Sequence, residues 1–217
     1  MITNLSTQGS LLTEWISELR NVDVQNNRLR FRRNLERIGE AMAYEISKTF
    51  LWQEQEIQTP LGTHNSKTLI NQPVLATILR AGLPMHNGLL NYFDRADNAF
   101  ISAYRKHRRD GSFEISLEYL SCPSIDNRIL ILCDPMLATG SSLVAALRSL
   151  LNHGMPSDIH IVCAIAATEG IEYVVREFGE KIYIWCGDID DELTAKGYIV
   201  PGLGDAGDLA FGPKSQF

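Results

Sequence analysis

No stretch of this sequence approaches the roughly 18 consecutive apolar residues that a membrane-spanning helix needs. No basic stretch leading into an apolar run opens it either, so a cytoplasmic location and no membrane partner are expected. Cysteine is scarce. Cys122, Cys133, Cys163 and Cys186 form no CxxC pair, and the last three stand in apolar runs, so they read as reduced, buried small hydrophobes. Positive charge is in deficit: 20 Lys and Arg face 26 Asp and Glu, for a net charge of −6. Non-specific nucleic-acid binding depends on neutralising phosphates, so an acidic chain argues against a nucleic-acid partner. Repeats, linkers and low-complexity tracts are missing, which leaves residues 1–217 as one expected domain.

What is present is the material of a packed core, with 45% hydrophobic and 21% charged residues. Leu11, Leu12, Trp15, Ile16 and Leu19 recur at helical spacing behind Ser10, a candidate N-cap. Leu35, Ile38, Met42 and Ile46 mark one face of a longer helix, from about Arg28 to Phe50. Turn residues Pro60-Leu61-Gly62 then predict a hairpin or loop. Five apolar runs read as strands: 73–80, 99–105, 128–133, 159–167 and 181–186. Asp110-Gly111 predicts a hairpin turn after the second. Helical patterns cover about Thr139 to Asn152, with Gly154 as a stop, and residues 171–178. Apolar strands separated by helices predict an α/β fold, a mainly parallel sheet covered on both faces.

One junction carries chemistry. The run "ILILC" ends abruptly in Asp134-Pro135, and Thr139-Gly140-Ser141-Ser142 opens the next helix. Ligands of open α/β sheets bind beyond the carboxyl ends of strands. Small residues at a helix start let backbone N–H groups meet an anion, helped by the helix dipole. The loop has no lysine and a single glycine, so it is not the G-x-x-x-x-G-K-[ST] loop of nucleotide triphosphatases. A carboxylate five residues ahead of a phosphate cup suits a ligand with hydroxyls, such as a ribose 5-phosphate; a plain N-cap turn with a solvated Asp134 is the competing reading. Near the other end, Gly202, Gly204 and Gly207 spell G-x-G-x-x-G, but Pro201 interrupts and no acidic residue follows at the required distance. Those glycines are expected to bring backbone close to a flat ligand, with Asp205 and Asp208 beside it.

Together, "ILRAGL" (78–83), "DPMLATGSS" (134–142) and "GYIVPGLGDAGDLAFG" (197–212) resemble the signatures of uracil phosphoribosyltransferases, over nearly the whole chain. The last block is the most specific, being the base-binding segment of that family. The resemblance implies the type I phosphoribosyltransferase fold, with an N-terminal helical segment and a protruding hairpin. It implies transfer of phosphoribosyl from 5-phosphoribosyl 1-diphosphate to uracil, with Mg²⁺ held mainly through the donor's diphosphate and no certain protein ligand. It also implies a homodimer or higher homo-oligomer, and leaves activation by GTP open. By motif, Asp134, Pro135, Met136, Leu137, Ala138, Thr139, Gly140, Ser141 and Ser142 would hold the ribose and its 5-phosphate. Arg80 and Arg105 would face the diphosphate, with Ala81-Gly82 as the turn beneath it. Ile199, Gly204, Asp205 and Ala206 would read uracil, largely through backbone groups. Asp205 would also meet the donor, and Arg105 and Asp205 are the implied catalytic residues.

Four places depart from the family pattern. Ser141 stands where a second glycine is usual, so its side chain must point away or reshape the cup. His86 and Asn87 are unexpected, and a packed or solvated histidine is the expectation. The stretch from Arg105 to Gly111 is unusually basic. Asp188, Asp190, Asp191 and Glu192 lack EF-hand spacing and are expected to form a solvated acidic loop. Two rival functions remain: a catalytically weak or inactive RNA-binding regulator on the same fold, which the acidic composition disfavours, and transfer to another base, which residues 197–212 disfavour.

Overall fold

The computed structural model describes the backbone at residues 1–107, 113–179 and 182–214, and side chains there except over 103–117. A short strand β1 (Ile2–Asn4) leads into helix α1 (Leu11–Arg20), where Ser10 and Thr13 form a capping box. Helix α2 (Arg28–Ser47) starts where the Asn27 side chain accepts the Arg30 N–H. It stops short of the expected Phe50 because residues 48–50 tighten into a turn, with Thr49 N donating to Ile46 O. The faces seen in the sequence are the buried ones: Leu12, Ile16 and Leu19 on α1, and Phe31, Leu35, Ile38, Met42 and Ile46 on α2.

Strands β2 (Trp52–Thr59) and β3 (Gly62–Leu69) pair antiparallel around Pro60-Leu61 and form a sheet of their own with mostly exposed residues. After β4 (Val74–Leu79) comes helix α3 (Leu83–Tyr92), which the sequence reading did not anticipate. Its apolar residues are interrupted by His86, Asn87 and Gly88, so no clean stripe stands out. The interruption is a packing device. Gly88 and Gly39 face each other where α3 crosses α2, and a Cβ on either would strike the other helix's backbone. His86 is buried there, bonded through Nε2 to Asn98 Oδ1 at 2.8 Å and tilted against Phe100. Burial lowers its pKa, which favours the neutral ring of a packed histidine.

Strands β5 (Asp97–His107) and β6 (Phe113–Ser121) form the second expected hairpin, whose turn lies outside the described residues. Strand β7 (Ile129–Cys133), the two-residue strand β8 (Met136–Leu137), helix α4 (Ser141–Leu150), strand β9 (Asp158–Ala167), helix α5 (Thr168–Phe178) and strand β10 (Ile182–Asp190) complete the main sheet and its cover. Short strands β11 (Glu192–Leu193) and β12 (Ile199–Val200) pair with each other, and helix α6 (Ala206–Phe211) follows. The main sheet has the order β1-β10-β9-β7-β4-β5-β6 and is parallel except where β6 returns along β5. One face packs on α1, α2 and α3, the other on α4 and α5, giving two apolar layers around fully buried strands. Among the described residues, no helix is long and apolar enough to cross a membrane.

The acidic run is the main surprise. Asp188 and Asp190 are not in a solvated loop but continue β10, and Asp190 is only 7% exposed. They alternate along the strand, so both carboxylates share one face, and that face meets Arg20.

Candidate active site

Three segments converge at the carboxyl ends of β4 and β7, which are neighbouring parallel strands. The first is the loop from Asp134 to Ser142. It is less free than a loop read from sequence. Pro135 O accepts the Ile165 N–H, and Met136 and Leu137 pair with Ile165 and Ala166 of β9. Pro135 and Leu137 are buried, so those two positions can offer a ligand only backbone groups. Gly140 caps α4 in the left-handed region, at φ 78°. Thr139 Oγ1 donates to Ser141 Oγ at 3.1 Å and accepts the Ser141 N–H at 3.4 Å. The unusual Ser141 hydroxyl is thus tied to its neighbour, and the α4 start presents Gly140, Ser141 and Ser142 as one small, polar rim. Asp134 is half-buried, and its Oδ1 accepts the Met136 N–H at 3.4 Å. Cys133 beside it is no nucleophile: burial pushes its thiol up to about 12.

The second segment is the Arg80-Ala81-Gly82 turn between β4 and α3. A Cβ on Gly82 would strike Thr77 Oγ1 and lie 2.8 Å from Ile78 O and 3.1 Å from Cys133 O. Only glycine allows the turn to lie this close to the end of β7. The Leu79–Arg80 peptide is cis.

The third segment runs from Ile199 to Gly212. Its Val200–Pro201 peptide is also cis, and Gly202 and Gly204 have φ 58° and 95°. Asp205 caps α6 by accepting the Asp208 N–H at 2.9 Å. Asp208 in turn binds Arg80, Oδ1 to Nη2 at 3.1 Å, and Gly212 O accepts from the same nitrogen at 3.3 Å. From α2, Arg32 donates to Ala210 O at 2.7 Å. The expected base segment is therefore docked on the expected diphosphate turn. Arg80 reaches that segment, while Arg105 lies on β5 with its side chain outside the described residues. Ile199 and Ala206 are buried at 5% and 3% exposure, so neither presents its side chain to solvent. An open cavity of about 370 Å³ is lined by Gly204, Asp205, Asp208 and Leu209 together with Gln25, Asn26 and Arg28. Gln25 and Asn26 lie between α1 and α2 and Arg28 opens α2; none of the three belongs to the motifs read from the sequence.

What this arrangement can do follows from its parts. Backbone donors and hydroxyls at the α4 start suit a phosphate; a neighbouring carboxylate suits ribose hydroxyls; an open cleft beside Gly204 and Asp205 suits a flat base. Among the described residues, no three His, Cys, Asp or Glu side chains gather as a metal cage. Oxygen donors are at hand in Asp134 and Asp205, and one or two carboxylates together with substrate phosphates and waters is the usual way to hold Mg²⁺.

The fold and these three segments define a type I phosphoribosyltransferase. The model of the uracil phosphoribosyltransferase family matches residues 6–213. A uracil phosphoribosyltransferase of Porphyromonas gingivalis is 49% identical over 213 residues, covering 98% of this chain and 99% of that protein. One from Methanothermobacter thermautotrophicus is 41% identical, covering 86% and 85%. A solved structure of an Aquifex aeolicus protein superposes with a TM-score of 0.88 at 33% identity, over 98% of both chains. The chain belongs to the uracil phosphoribosyltransferase family.

Proposed function

We propose that the chain transfers the phosphoribosyl group of 5-phosphoribosyl 1-diphosphate to uracil, giving UMP and diphosphate. One observation carries the reading: a base-type segment, 199–212, docked through Asp208 and Arg80 onto the turn that borders the Gly140-capped loop. The bond from ribose C1′ to the diphosphate oxygen breaks, uracil N1 bonds to C1′, and the N1 proton is lost. As the leaving group departs the ribose becomes electron-poor, as in glycosyl transfer generally.

In this reading Thr139 to Ser142 hold the 5-phosphate, and Asp134 accepts hydrogen bonds from the ribose hydroxyls. Arg80 and Arg105 supply guanidinium donors where charge grows on the diphosphate. Asp134 and Asp205 are the carboxylates that would share Mg²⁺ with the donor, and the ion when bound neutralises leaving-group charge. The main chain from Ile199 to Ala206 pairs with the edge of uracil. Cytosine is rejected because its amine would oppose a donor and leave buried groups unpaired.

The test is direct. Purified protein with Mg²⁺, donor and uracil should form UMP, and cytosine should neither replace nor compete with uracil. Absence of UMP, with a control enzyme active under the same conditions, would sink the reading. A family relative at 49% identity carries the enzyme's name. An RNA-binding regulator would instead shift pyrimidine-operon leader RNA, and no shift is expected.

A further inference from the structure

We infer that Arg20 and Asp190 are positioning residues for uracil, clamping the main chain of Gly202 so that the base segment keeps its shape. The inference rests on the proposed function and adds a part that the three converging segments lack.

The clamp is built from distant elements. Arg20, in the last turn of α1, donates through Nη1 to Asp190 Oδ2 at 2.7 Å and through Nη2 to Asp190 Oδ1 at 2.8 Å. Nη2 also reaches Asp188 Oδ2 at 2.8 Å. The same Nη1 donates to Gly202 O at 3.0 Å, while Asp190 Oδ2 accepts the Gly202 N–H at 3.0 Å. Both backbone groups of one residue are thus held by one fork-on-fork ion pair. Arginine suits the task because its planar guanidinium fixes direction as well as charge.

The residue clamped is a demanding one. Gly202 sits at φ 58°, and a Cβ there would strike Ile199 O and lie 2.9 Å from Ile199 C. The chain therefore folds back on Ile199 directly ahead of Gly204 and Asp205. The stretch enters through β12, which pairs only with the two-residue strand β11 in a sheet of its own, and among the described residues no strand of the main sheet pairs with it. Its position relative to β10 is set by side chains. Asp190 is 7% exposed and Arg20 19%, so the pair is screened little by water. The arrangement holds Arg20 firmly protonated, its guanidinium stabilised by both carboxylates against the cost of burial.

Among the described residues, Arg20 and Asp190 form no hydrogen bond or ion pair with the proposed donor contacts, which gives the inference a signature that ordinary packing would not. Arg20→Lys keeps the charge, but one ammonium cannot span two carboxylates and a carbonyl. Asp190→Asn keeps the size and turns one acceptor into a donor facing Arg20. Either should raise the KM for uracil by about tenfold to a hundredfold, the scale of a lost charge-assisted hydrogen bond. Donor affinity, measured by direct binding without uracil, should stay within about twofold. Asp188→Asn removes the carboxylate that does not touch Gly202 and should leave the uracil KM within about twofold. In the wild-type protein, amide exchange should be slower at Gly202 than at Leu203 and Gly204, and should speed up in Arg20→Lys while residues 139–142 stay unchanged. UMP formation by the wild type is the control that separates this inference from the function it rests on. Uracil and donor constants moving together in folded variants, an unchanged uracil KM, or equal exchange across the wild-type loop each overturn the clamp.

Discussion

The donor loop after β7 and the base segment after β12 meet at the same end of the sheet but are held there by different forces. The donor loop is held by backbone. Pro135 O and strand β8 tie it to β9, and Gly140 lets it lie against α5. The base segment is held by side chains from other elements: Arg20 and Asp190 on Gly202, Arg32 on Ala210, Arg80 on Asp208. Backbone pairing is dense and local, so a loop fixed that way resists change at any single side chain. A segment fixed by a few long-range ion pairs can be shifted by one substitution far from the ligand. In the proposed function the first half would hold a phosphate, whose recognition tolerates little beyond geometry. The second would have to discriminate one base from another.

The largest effect that would sharpen this contrast is expected on the donor side, at Asp134. Replacing it by Asn leaves one acceptor oxygen and adds misplaced donors. Charge-assisted hydrogen bonds contribute roughly 1.5–3 kcal/mol, so donor affinity should fall about tenfold to a hundredfold while the uracil KM changes little. Titrating donor and uracil separately checks this. A fall confined to uracil would reverse the assignment of the two halves.

Gly204→Ala should produce a smaller and opposite pattern. The nearest protein atom to an added Cβ is Leu209 Cδ1, at 3.8 Å, so crowding within the protein is not the problem. The backbone is: φ 95° lies where L side chains are strained by about 1–3 kcal/mol. The segment should relax toward another shape and raise the uracil KM by about tenfold, with donor affinity preserved. Wild-type uracil kinetics in this variant would mean that the base is read elsewhere.

The same contrast explains what could be read from sequence. The five long sheet strands, their order of appearance and the helix start after Thr139 were legible because each is a local pattern: an apolar run, a small-residue turn; the short strands β1, β8, β11 and β12 carry too few residues for such a pattern. Helix α3 was not, because its contact with α2 uses Gly88 and Gly39 in place of an apolar stripe. Helix α6 was hidden inside a glycine motif that suggested only close approach. The Arg20–Asp190 pair joins positions 170 residues apart, and no local pattern announces a partner at that range. One signal was available. Asp188 and Asp190 alternate at the end of the apolar run "IYIWCGDID", and two carboxylates on one face of a buried strand require a cation. Read as a solvated loop, the run lost that meaning.

The smallest effect concerns acid, and it should reach the base half through α1. Glu18, two residues before Arg20, receives Arg30 Nη2 at 2.6 Å, Arg30 Nε at 2.8 Å and Asn34 Nδ2 at 2.6 Å. It thereby pins α1, which carries the clamp, to α2. The Arg30 fork, with help from Asn34, lowers the Glu18 pKa from 4.5 to about 2. A carboxylate whose pKa is depressed on folding stabilises the fold above its unfolded pKa and loses that contribution as pH falls through the folded value. The contribution is therefore complete above about pH 4.5 and fades toward about pH 2. Arg30 is 48% exposed, so solvent screens the pair and the effect is modest. Glu18→Gln should lower the melting temperature at pH 7 by about 2 °C, and the gap to wild type should close as pH falls through that window. At pH 7 the variant should also exchange amides faster across residues 199–204 than across 139–142, because α1 carries Arg20 to the first stretch and, among the described residues, bonds to none of the second. A gap independent of pH would show that Glu18 acts through packing and not through its charge. Equal loosening of both stretches would show that α1 supports the whole sheet edge, and the contrast between a backbone-held half and a side-chain-held half would fail at its weakest joint.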